Sequence, residues 1–383
     1  MDTTMPAAGA RVAIEVSGLA SLIGLLKERG YQVVGPTVRE GAVTYDEIEK
    51  LEDLPVGWGD EQSAGRYRLK RRKDAALFGY VLGPQGWKRY LHTPEMRMLE
   101  GAREGETFKI LRPVPAAAKY AFLGVRACEL AAIERQDRIL LGDRYLDADY
   151  RGRRQGALII AVSCTQAGGT CFCTSMGTGP KVEKGFDIAL TELTGPERHI
   201  LVGEAGTQAG AELLAALEHR PASAEEVGAA EAAVAQAAAG IQHTLDTAGL
   251  KEALYESFDH PRWDKVAARC LSCANCTLVC PTCFCTTVED GSSVAGRDAQ
   301  RRRKWDSCFT ENFSYIHGGS VRLSVKARYR QWLTHKLAYW IDQFGALGCV
   351  GCGRCITWCP GQIDITEEVA AIRGAEPAAA GKE

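Results

Sequence analysis

Two cysteine-rich runs constrain this chain more than any other feature of its sequence. Each has the spacing C-x2-C-x2-C-x3-C-P: the first extends from Cys270 to Pro281 and the second from Cys349 to Pro360. Bacterial-type ferredoxins use this run to hold cubane [4Fe–4S] clusters. Three thiolates separated by two residues each can bind three iron corners of one cube from a single tight loop. The sequence therefore predicts two such clusters.

In ferredoxins with two clusters, the fourth cysteine of each run ligates the cluster of the other run. The predicted ligands of the first cube are Cys270, Cys273, Cys276 and Cys359, and those of the second cube are Cys349, Cys352, Cys355 and Cys280. Zinc ribbons and disulfides are the alternatives. Zinc sites prefer paired C-x2-C knuckles with a long gap between them, so two complete runs with both prolines favour clusters.

The chain has fifteen cysteines, and seven of them lie outside these eight positions. Four fall in the N-terminal part, beside predicted strand ends and turns: Cys128, Cys164, Cys171 and Cys173. Two interpretations stay open for them. Four thiols near one sheet edge can hold a third metal site, although C-x-C is not a common cubane spacing. Ordinary buried cysteines are the other interpretation.

A short repeat accompanies these thiols, because Thr170–Thr174 and Thr282–Thr286 both read T-C-F-C-T. The second copy contributes Cys283 and Cys285, and Cys308 follows further along the chain. We interpret these three cysteines as surroundings of the predicted clusters.

Composition and charge exclude several functional classes. The chain has 383 residues, 46% of them hydrophobic and 25% charged, with a formal net charge of −2. Such a balance provides no global field for nucleic acid or an anionic membrane. The first residues lack the basic and apolar regions of an export signal, and no apolar run is long enough to span a bilayer. With cysteines expected as reduced thiolates, we expect a cytoplasmic protein.

Hydrophobic patterns predict an α/β and α+β chain with two domains. Residues 1–245 are predicted as an N-terminal α/β domain, with strands at Ala76–Gly83, Lys119–Val125 and Ala157–Ser163 and a helix that begins near Cys128. Further strands are predicted at Phe186–Leu190 and His199–Val202. Residues 246–383 are predicted as a ferredoxin-like domain for two [4Fe–4S] clusters, with an insertion at about 287–345 between the runs.

Local signals place the boundary and the ends of these domains. Ser223-x-x-Glu226 is a capping box for a helix over about Ala224–Ala239, and we place the boundary near its end. The insertion ends in a helix whose apolar stripe runs from Leu333 to Phe344. The basic segment Arg66–Lys73 is interpreted as a solvated strand or loop rather than a nucleic-acid-binding segment, because no series of stacking aromatic residues accompanies it. Docking of an acidic partner is a further alternative.

The sequence lacks the common motifs of nucleotide-binding and hydrolase sites. The sequence has no G-x-G-x-x-G after a strand, no G-x4-G-K-[ST] and no G-x-S-x-G. Its seven histidines are scattered without the spacing of a metal site or a catalytic triad. We therefore predict no catalytic residue, and interpret the chain as a protein that transfers single electrons.

Several stretches together resemble one protein family. They are Gly124–Glu134, which contains Cys128; Thr170–Pro180; Arg269–Cys285; Trp305–Cys308; and Trp340–Pro360. The family is the beta, iron–sulfur subunit of soluble NAD(P)-linked [NiFe] hydrogenases (sulfhydrogenases), together with the corresponding iron–sulfur subunit of anaerobic sulfite reductases. The resemblance covers about residues 119–370 and is looser over the first hundred residues.

The resemblance implies a place in a complex. In this family a separate gamma subunit carries flavin and binds NAD(P)H, and the beta subunit relays electrons onward. The recipient is a pair of [NiFe] hydrogenase small and large subunits, which we prefer, or a sirohaem sulfite-reducing subunit. Both cysteine runs match those of the family. The resemblance therefore implies that all eight predicted cysteines are cluster ligands in this chain.

Two other functional classes remain as alternatives. The first is a self-sufficient oxidoreductase whose N-terminal domain binds flavin without a sequence signature. The second is a nucleic-acid-binding protein with structural clusters, and the near-neutral charge argues against it. We expect no nucleic-acid or membrane partner.

Overall fold

The computed structural model describes residues 9–111, 118–142, 145–195 and 198–374. The strands in these ranges are β1 (Val12–Glu15), β2 (Gln32–Arg39), β3 (Ala42–Glu47), β4 (Trp58–Ser63), β5 (Arg66–Arg71), β6 (Glu95–Glu104), β7 (Thr107–Leu111), β8 (Tyr120–Val125), β9 (Leu158–Val162), β10 (Ile188–Thr194), β11 (His199–Ala205), β12 (Arg220–Pro221), β13 (Thr286–Ser292), β14 (Asp298–Trp305), β15 (Tyr315–Ile316) and β16 (Gly319–Ser320).

The helices in the same ranges are α1 (Val16–Glu28), α2 (Lys88–Leu91), α3 (Ala127–Leu140), α4 (Ala148–Gln155), α5 (Gln208–Ala215), α6 (Ala224–Ala239), α7 (Leu250–Glu256), α8 (Arg262–Arg269), α9 (Asn275–Leu278), α10 (Val325–Thr334), α11 (Trp340–Phe344), α12 (Arg354–Thr357) and α13 (Ile365–Ile372). Short 3-10 segments occur at Leu51–Asp53 and Glu311–Ser314, and a π-helical segment at His335–Tyr339. The predicted tail beyond Gly374 lies outside the described residues.

A central sheet of eight strands organises the N-terminal part, in the order β12-β1-β11-β10-β9-β8-β2-β3. The four strands β10, β9, β8 and β2 form the parallel part of this sheet. The pairs on either side of it, such as β10 with β11 and β2 with β3, are antiparallel. Every residue of β8 and β9 is buried. Such strands read as continuous apolar runs because both faces of the sheet are covered. The predicted strands at Lys119–Val125 and Ala157–Ser163 are therefore confirmed.

A second sheet joins distant parts of the chain, in the order β13-β14-β6-β7. Strand β14 lies in the predicted insertion, yet it pairs antiparallel with β6. Across this pair Arg302 contacts Glu95 at 2.9 Å. The predicted insertion thus packs against the N-terminal part through a shared sheet, and the two-domain division stays a prediction.

The predicted strand at Ala76–Gly83 is wrong, because this buried segment has no strand pairing. Its backbone groups bond to side chains instead. The carboxylate of Glu192 accepts from the amides of Leu77 and Phe78 at 2.6 and 2.9 Å, and Arg126 donates to the carbonyl of Tyr80 at 3.1 Å. The segment was predicted as a strand because of its apolar content. Its backbone hydrogen bonds, however, are not made to a neighbouring strand of a sheet.

Helices of the C-terminal part form a second hydrophobic core. Residues Leu333, Leu337 and Trp340 are buried there, as the apolar stripe predicted. The predicted single helix is divided into α10, the π-helical segment and α11. This core also contains Trp263 from α8 and Val369 from α13, so it surrounds the loops that carry the cysteine runs.

The basic segment lies against one of those loops. Strand β5 alternates exposed and half-buried residues, in agreement with the predicted solvated strand. On its inner side Tyr67 stacks on Trp358, with ring centroids 5.3 Å apart, and the amide of Gly65 donates to the carbonyl of Ile356 at 3.0 Å. The β4–β5 hairpin therefore covers the end of the second cysteine run.

Candidate iron–sulfur sites

The first site is a cavity lined by Cys270, Cys273, Cys276 and Cys359. These are the four thiols that the crosswise assignment predicts for one cube, so the structure brings them together. Other residues on the wall include the aromatic side chains of Phe309, Tyr329 and Trp332. Aromatic walls exclude water, whereas Cys273 is exposed at the surface. One edge of this site is consequently open to solvent.

The second site is a cavity lined by Cys280, Cys349, Cys352 and Cys355. Its fourth thiol, Cys280, comes from the first run, as predicted. Lys336 also lines this cavity, and its Nζ donates to the Sγ of Cys280 at 3.1 Å. The second site is thus built from both runs and carries a buried cation.

Matching positions of the two runs adopt the left-handed backbone conformation. Ser272 and Ala274 have φ values of +50° and +66° in the first run, and Gly351 and Gly353 have φ values of +64° and +74° in the second. Left-handed residues between the cysteines turn the chain sharply, so that successive thiols face one cavity. At Gly353 an added Cβ would lie 2.4 Å from the carbonyl oxygen of Thr170. Glycine is required in the second run because another loop packs directly on it.

Burial disfavours free thiolates at these sites. It raises the pKa of Cys276 and of Cys355, because the charged sulfur loses its hydration. The hydrogen bond with Cys283 instead holds the pKa of Cys280 well below its usual range, with Lys336 acting in the same direction. A buried thiolate is stabilised when a metal cation shares its charge, which is the chemistry that iron supplies.

The four N-terminal cysteines also meet in one cavity, which we call the third site. Its wall contains Cys128, Cys164, Cys171 and Cys173. Cys128 lies in the first turn of α3, and Cys164 follows β9. The sequence predicted thiols at one sheet edge, and the structure brings all four to one place. The wall also includes Arg126, Arg354 and Cys352.

Of the three remaining cysteines, Cys283 contacts Cys280 of the second site, and Cys308 contacts Cys285. A hydrogen bond from Cys308 lowers the pKa of Cys285 to about 7, and a hydrogen bond joins Cys283 to Cys280. The buried Lys88 faces the same sulfurs, and its Nζ donates to the carbonyl oxygen of Cys280 at 3.2 Å. Sequence reasoning missed Lys88 and Lys336, because no local pattern indicates which lysines become buried.

The donor sets fit iron–sulfur clusters. Each site presents at least four thiols around a cavity, which is the ligand chemistry of a cube. Within residues 9–111, 118–142, 145–195 and 198–374, no three His, Cys, Asp or Glu side chains are grouped closely enough to hold a single metal ion. A cube is larger than one ion, so its ligand sulfurs are further apart than the ligands of zinc.

Comparison with known proteins identifies the family of this chain. The family described as the 4Fe-4S dicluster domain matches residues 269–363, which span both runs. The chain is 31% identical over 353 residues to the sulfhydrogenase 2 subunit beta of Pyrococcus furiosus, a match that covers 91% of this chain and 94% of that protein. The chain belongs to the sulfhydrogenase beta subunit family. It is mixed α/β, with a C-terminal 4Fe-4S dicluster domain.

Membership of this family makes the chain an iron–sulfur subunit of a sulfhydrogenase-like complex. No solved structure matches the chain. None of the helices in the described ranges combines the length and apolar character that crossing a membrane requires.

Proposed function

We propose that this chain relays electrons between a subunit that binds flavin and NAD(P) and a catalytic subunit of the [NiFe] hydrogenase type. The observation that carries the proposal is the pair of adjacent four-thiol cavities. Cys355 lines both of them, so two clusters bound there stand side by side. Clusters supply one-electron transfer when bound.

The proposed ligands are the eight cysteines of the two runs. Cys270, Cys273, Cys276 and Cys359 would hold the first cube, and Cys280, Cys349, Cys352 and Cys355 the second. Around the second cube, Phe172 and Ile365 exclude water, and Lys336 provides a positive charge. At the first site Leu271 is 69% exposed beside the exposed Cys273. That surface gives a partner close access to the first cube.

Co-purification is the first test of this proposal. The natural complex, isolated without oxygen, is expected to contain hydrogenase small and large subunits together with a flavin subunit. A sulfite-reducing subunit in place of the hydrogenase pair would support the other branch of the family resemblance. Isolation of the chain alone, from cells in which it retains its clusters, would contradict the proposed relay.

A variant separates relay from catalysis. In the Cys355→Ala complex, we expect NAD(P)H-linked turnover to fall to background, because the second cube loses a ligand. Hydrogen or sulfite chemistry driven by an artificial electron donor should remain, since the donor delivers electrons without this chain. Unchanged NAD(P)H-linked turnover would overturn the assignment of Cys355 to the relay.

A second candidate function is a flavin-binding iron–sulfur oxidoreductase. The observation in its favour is a cleft of about 490 Å³ between α3 and residues 177–185, which includes Arg154, Lys181 and Lys184. Arg154 and Lys184 form ion pairs with Asp137 and Glu134 of the same cleft, so Lys181 is the cation that suits a flavin phosphate. Denaturing the purified chain would release yellow, fluorescent flavin if this candidate is correct. Absence of flavin from a fully iron-loaded chain would leave the relay as the better proposal.

A further inference from the structure

The third site is positioned by the parallel part of the central sheet. Strands β8 and β9 are parallel neighbours, so their carboxyl ends meet at one edge of the sheet. Cys128 follows β8 at the start of α3, and Cys164 follows β9. The loop that continues from Cys164 supplies Cys171 and Cys173, and all four thiols line one cavity. This edge is where α/β sheets place their functional groups.

Glycines shape the loop around these sulfurs. An added Cβ at Gly168 would lie 2.8 Å from the Sγ of Cys171, and one at Gly179 would lie 3.4 Å from the Sγ of Cys173 and 3.2 Å from the Cβ of Ala127. The backbone therefore approaches the thiols more closely than a chain with side chains there allows. Close approach of backbone to a bound group is a usual role of glycine.

Two buried guanidinium groups face the same cavity. Arg126 and Arg354 are each 3% exposed, and in the described residues the Nε atom of each has no hydrogen-bond partner. Glu129 bonds to Arg354 at 2.8 Å, whereas the guanidinium of Arg126 has no carboxylate partner among the described ion pairs and donates to the carbonyls of Phe78 and Tyr80. The wall therefore keeps an excess positive charge and two unsatisfied donors. Buried groups of this kind require an anion, and a thiolate-ligated cube is anionic.

The three sites share walls in a fixed order. Cys352 lines both the third and the second site. Cys355 lines both the second and the first. Since these cysteines are neighbours in one run, the second site lies between the other two.

Hydrogen bonds join the loop of the third site to the loop of the second. The amide of Phe172 donates to the carbonyl of Gly351 at 2.8 Å, and the hydroxyl of Thr178 donates to the carbonyl of Val350 at 2.7 Å. The distance between the two sites is consequently set by direct backbone contact. This contact favours the interpretation that the third site works together with the second. It disfavours the interpretation of its four cysteines as ordinary buried thiols.

We propose that Cys128, Cys164, Cys171 and Cys173 ligate a third iron–sulfur cluster, and that the three clusters stand in one line with the second in the middle. The third cluster receives or donates one electron through the second, and the first lies at the solvent-exposed end. The order within the line rests on the ligand assignment of the proposed function, whereas the presence of the third cluster does not.

Iron content tests the third cluster. The anaerobic full-length chain is expected to contain about twelve iron atoms and about twelve sulfides, as three cubes require. The Cys171→Ala/Cys173→Ala chain should contain about eight, because two cubes remain. A wild-type chain with about eight iron atoms, or with zinc bound at this site, would overturn the proposal. So would a double variant with unchanged iron.

Two further variants guard against simple misfolding. Thr174→Ala changes an exposed residue of the same loop and should keep the full iron content. Cys171→Ala alone removes one ligand and should convert the cube into a three-iron cluster, which has its own electron paramagnetic resonance signal in the oxidised protein. Retention of a four-iron signal from this site would contradict ligation by Cys171. None of these measurements depends on relay activity.

Spin coupling tests the order. In the fully reduced chain, the second cluster should couple magnetically to both neighbours. Removing it with the Cys280→Ala/Cys349→Ala double variant should leave two sharp, uncoupled signals from the first and third clusters. Signals that stay coupled to each other in this variant would show that the first and third clusters are adjacent, which contradicts the proposed line.

Discussion

The ammonium group of Lys336 bonds to the sulfur of Cys280, with 3.1 Å between Nζ and Sγ. Lys336 is buried, and none of the described ion pairs gives it a carboxylate partner. Burial acts to lower the pKa of this lysine, but the surrounding sulfurs outweigh it and the pKa is raised. The sulfur ligand is therefore the counter-charge of Lys336.

Replacing Lys336 by Met should lower the reduction potential of the second cluster. The ammonium stabilises the reduced, more negative cluster more strongly than the oxidised one. A difference of about 1.4 kcal/mol between the two states corresponds to about 59 mV for one electron, so we expect a fall on the order of 50 mV. Potentiometric titration followed by electron paramagnetic resonance measures it. Lys326→Met, at a surface pair with Asp264, is the control and should leave the potential unchanged.

Replacing Gly353 by Ala should destabilise the contact between the second and third sites. Its φ of +74° costs an alanine about 1–2 kcal/mol, and overlap of the new Cβ with Thr170 adds about 1–3 kcal/mol. We expect a loss of roughly 3 kcal/mol in the free energy of unfolding and faster release of iron on dilution into chelator.

Gly249 provides a matched control for that substitution. It has a φ of +61°, but an added Cβ would meet nothing within 4 Å. Gly249→Ala should therefore cost only about 1 kcal/mol from backbone strain and leave iron release unchanged. Equal effects of the two substitutions would mean that the contact with Thr170 contributes nothing.

His243 should make stability depend on pH. Its Nε2 lies 2.8 Å from the Oδ2 of Asp364, and this hydrogen bond raises the pKa of His243 above its ordinary value of 6.5. A raised pKa contributes stability that is fully present below pH 6.5 and is lost as the pH rises through the raised value. Denaturation midpoints across this window should fall in the wild type and stay flatter in His243→Gln. The exposed His317→Gln should behave as the wild type.

Removing the carboxylate of Glu368 should destabilise the C-terminal part. Glu368 is fully buried and bonds to Arg262 at 2.6 Å and to Arg269, the residue before Cys270. Breaking this pair leaves Arg262 and Arg269 without their carboxylate, but both side chains reach solvent, with exposures of 26% and 42%, so we expect a cost of about 1–3 kcal/mol. Chemical denaturation of Glu368→Ala measures this loss. Glu367→Ala, at the neighbouring position, should cost under about 1 kcal/mol.

Local sequence signals predicted local structure well. The capping box of Ser223 and Glu226 is present, and α6 covers Ala224–Ala239 as predicted. Asp364 caps α13 through the amide of Thr366. Such signals succeed because all the interacting groups lie within one turn of helix.

Interactions between distant residues could not be predicted in this way. The pairing of β6 with β14 brings together residues about two hundred positions apart, and nothing within either strand specifies the other. The wrong strand at Ala76–Gly83 has the same origin, since its hydrogen-bond partner Glu192 lies 115 positions from Leu77. The eight cysteines of the runs could be recognised because their spacing itself encodes the ligand geometry.

The proposed crosswise exchange of Cys280 and Cys359 between the two runs has a consequence for biosynthesis. Under this assignment each of the first two sites needs a thiol that follows α11, so neither can be completed while the ribosome is still making α10 or α11. Iron would therefore be delivered only after α11 has been synthesised. Its maturation factors would meet the two runs together rather than one after the other.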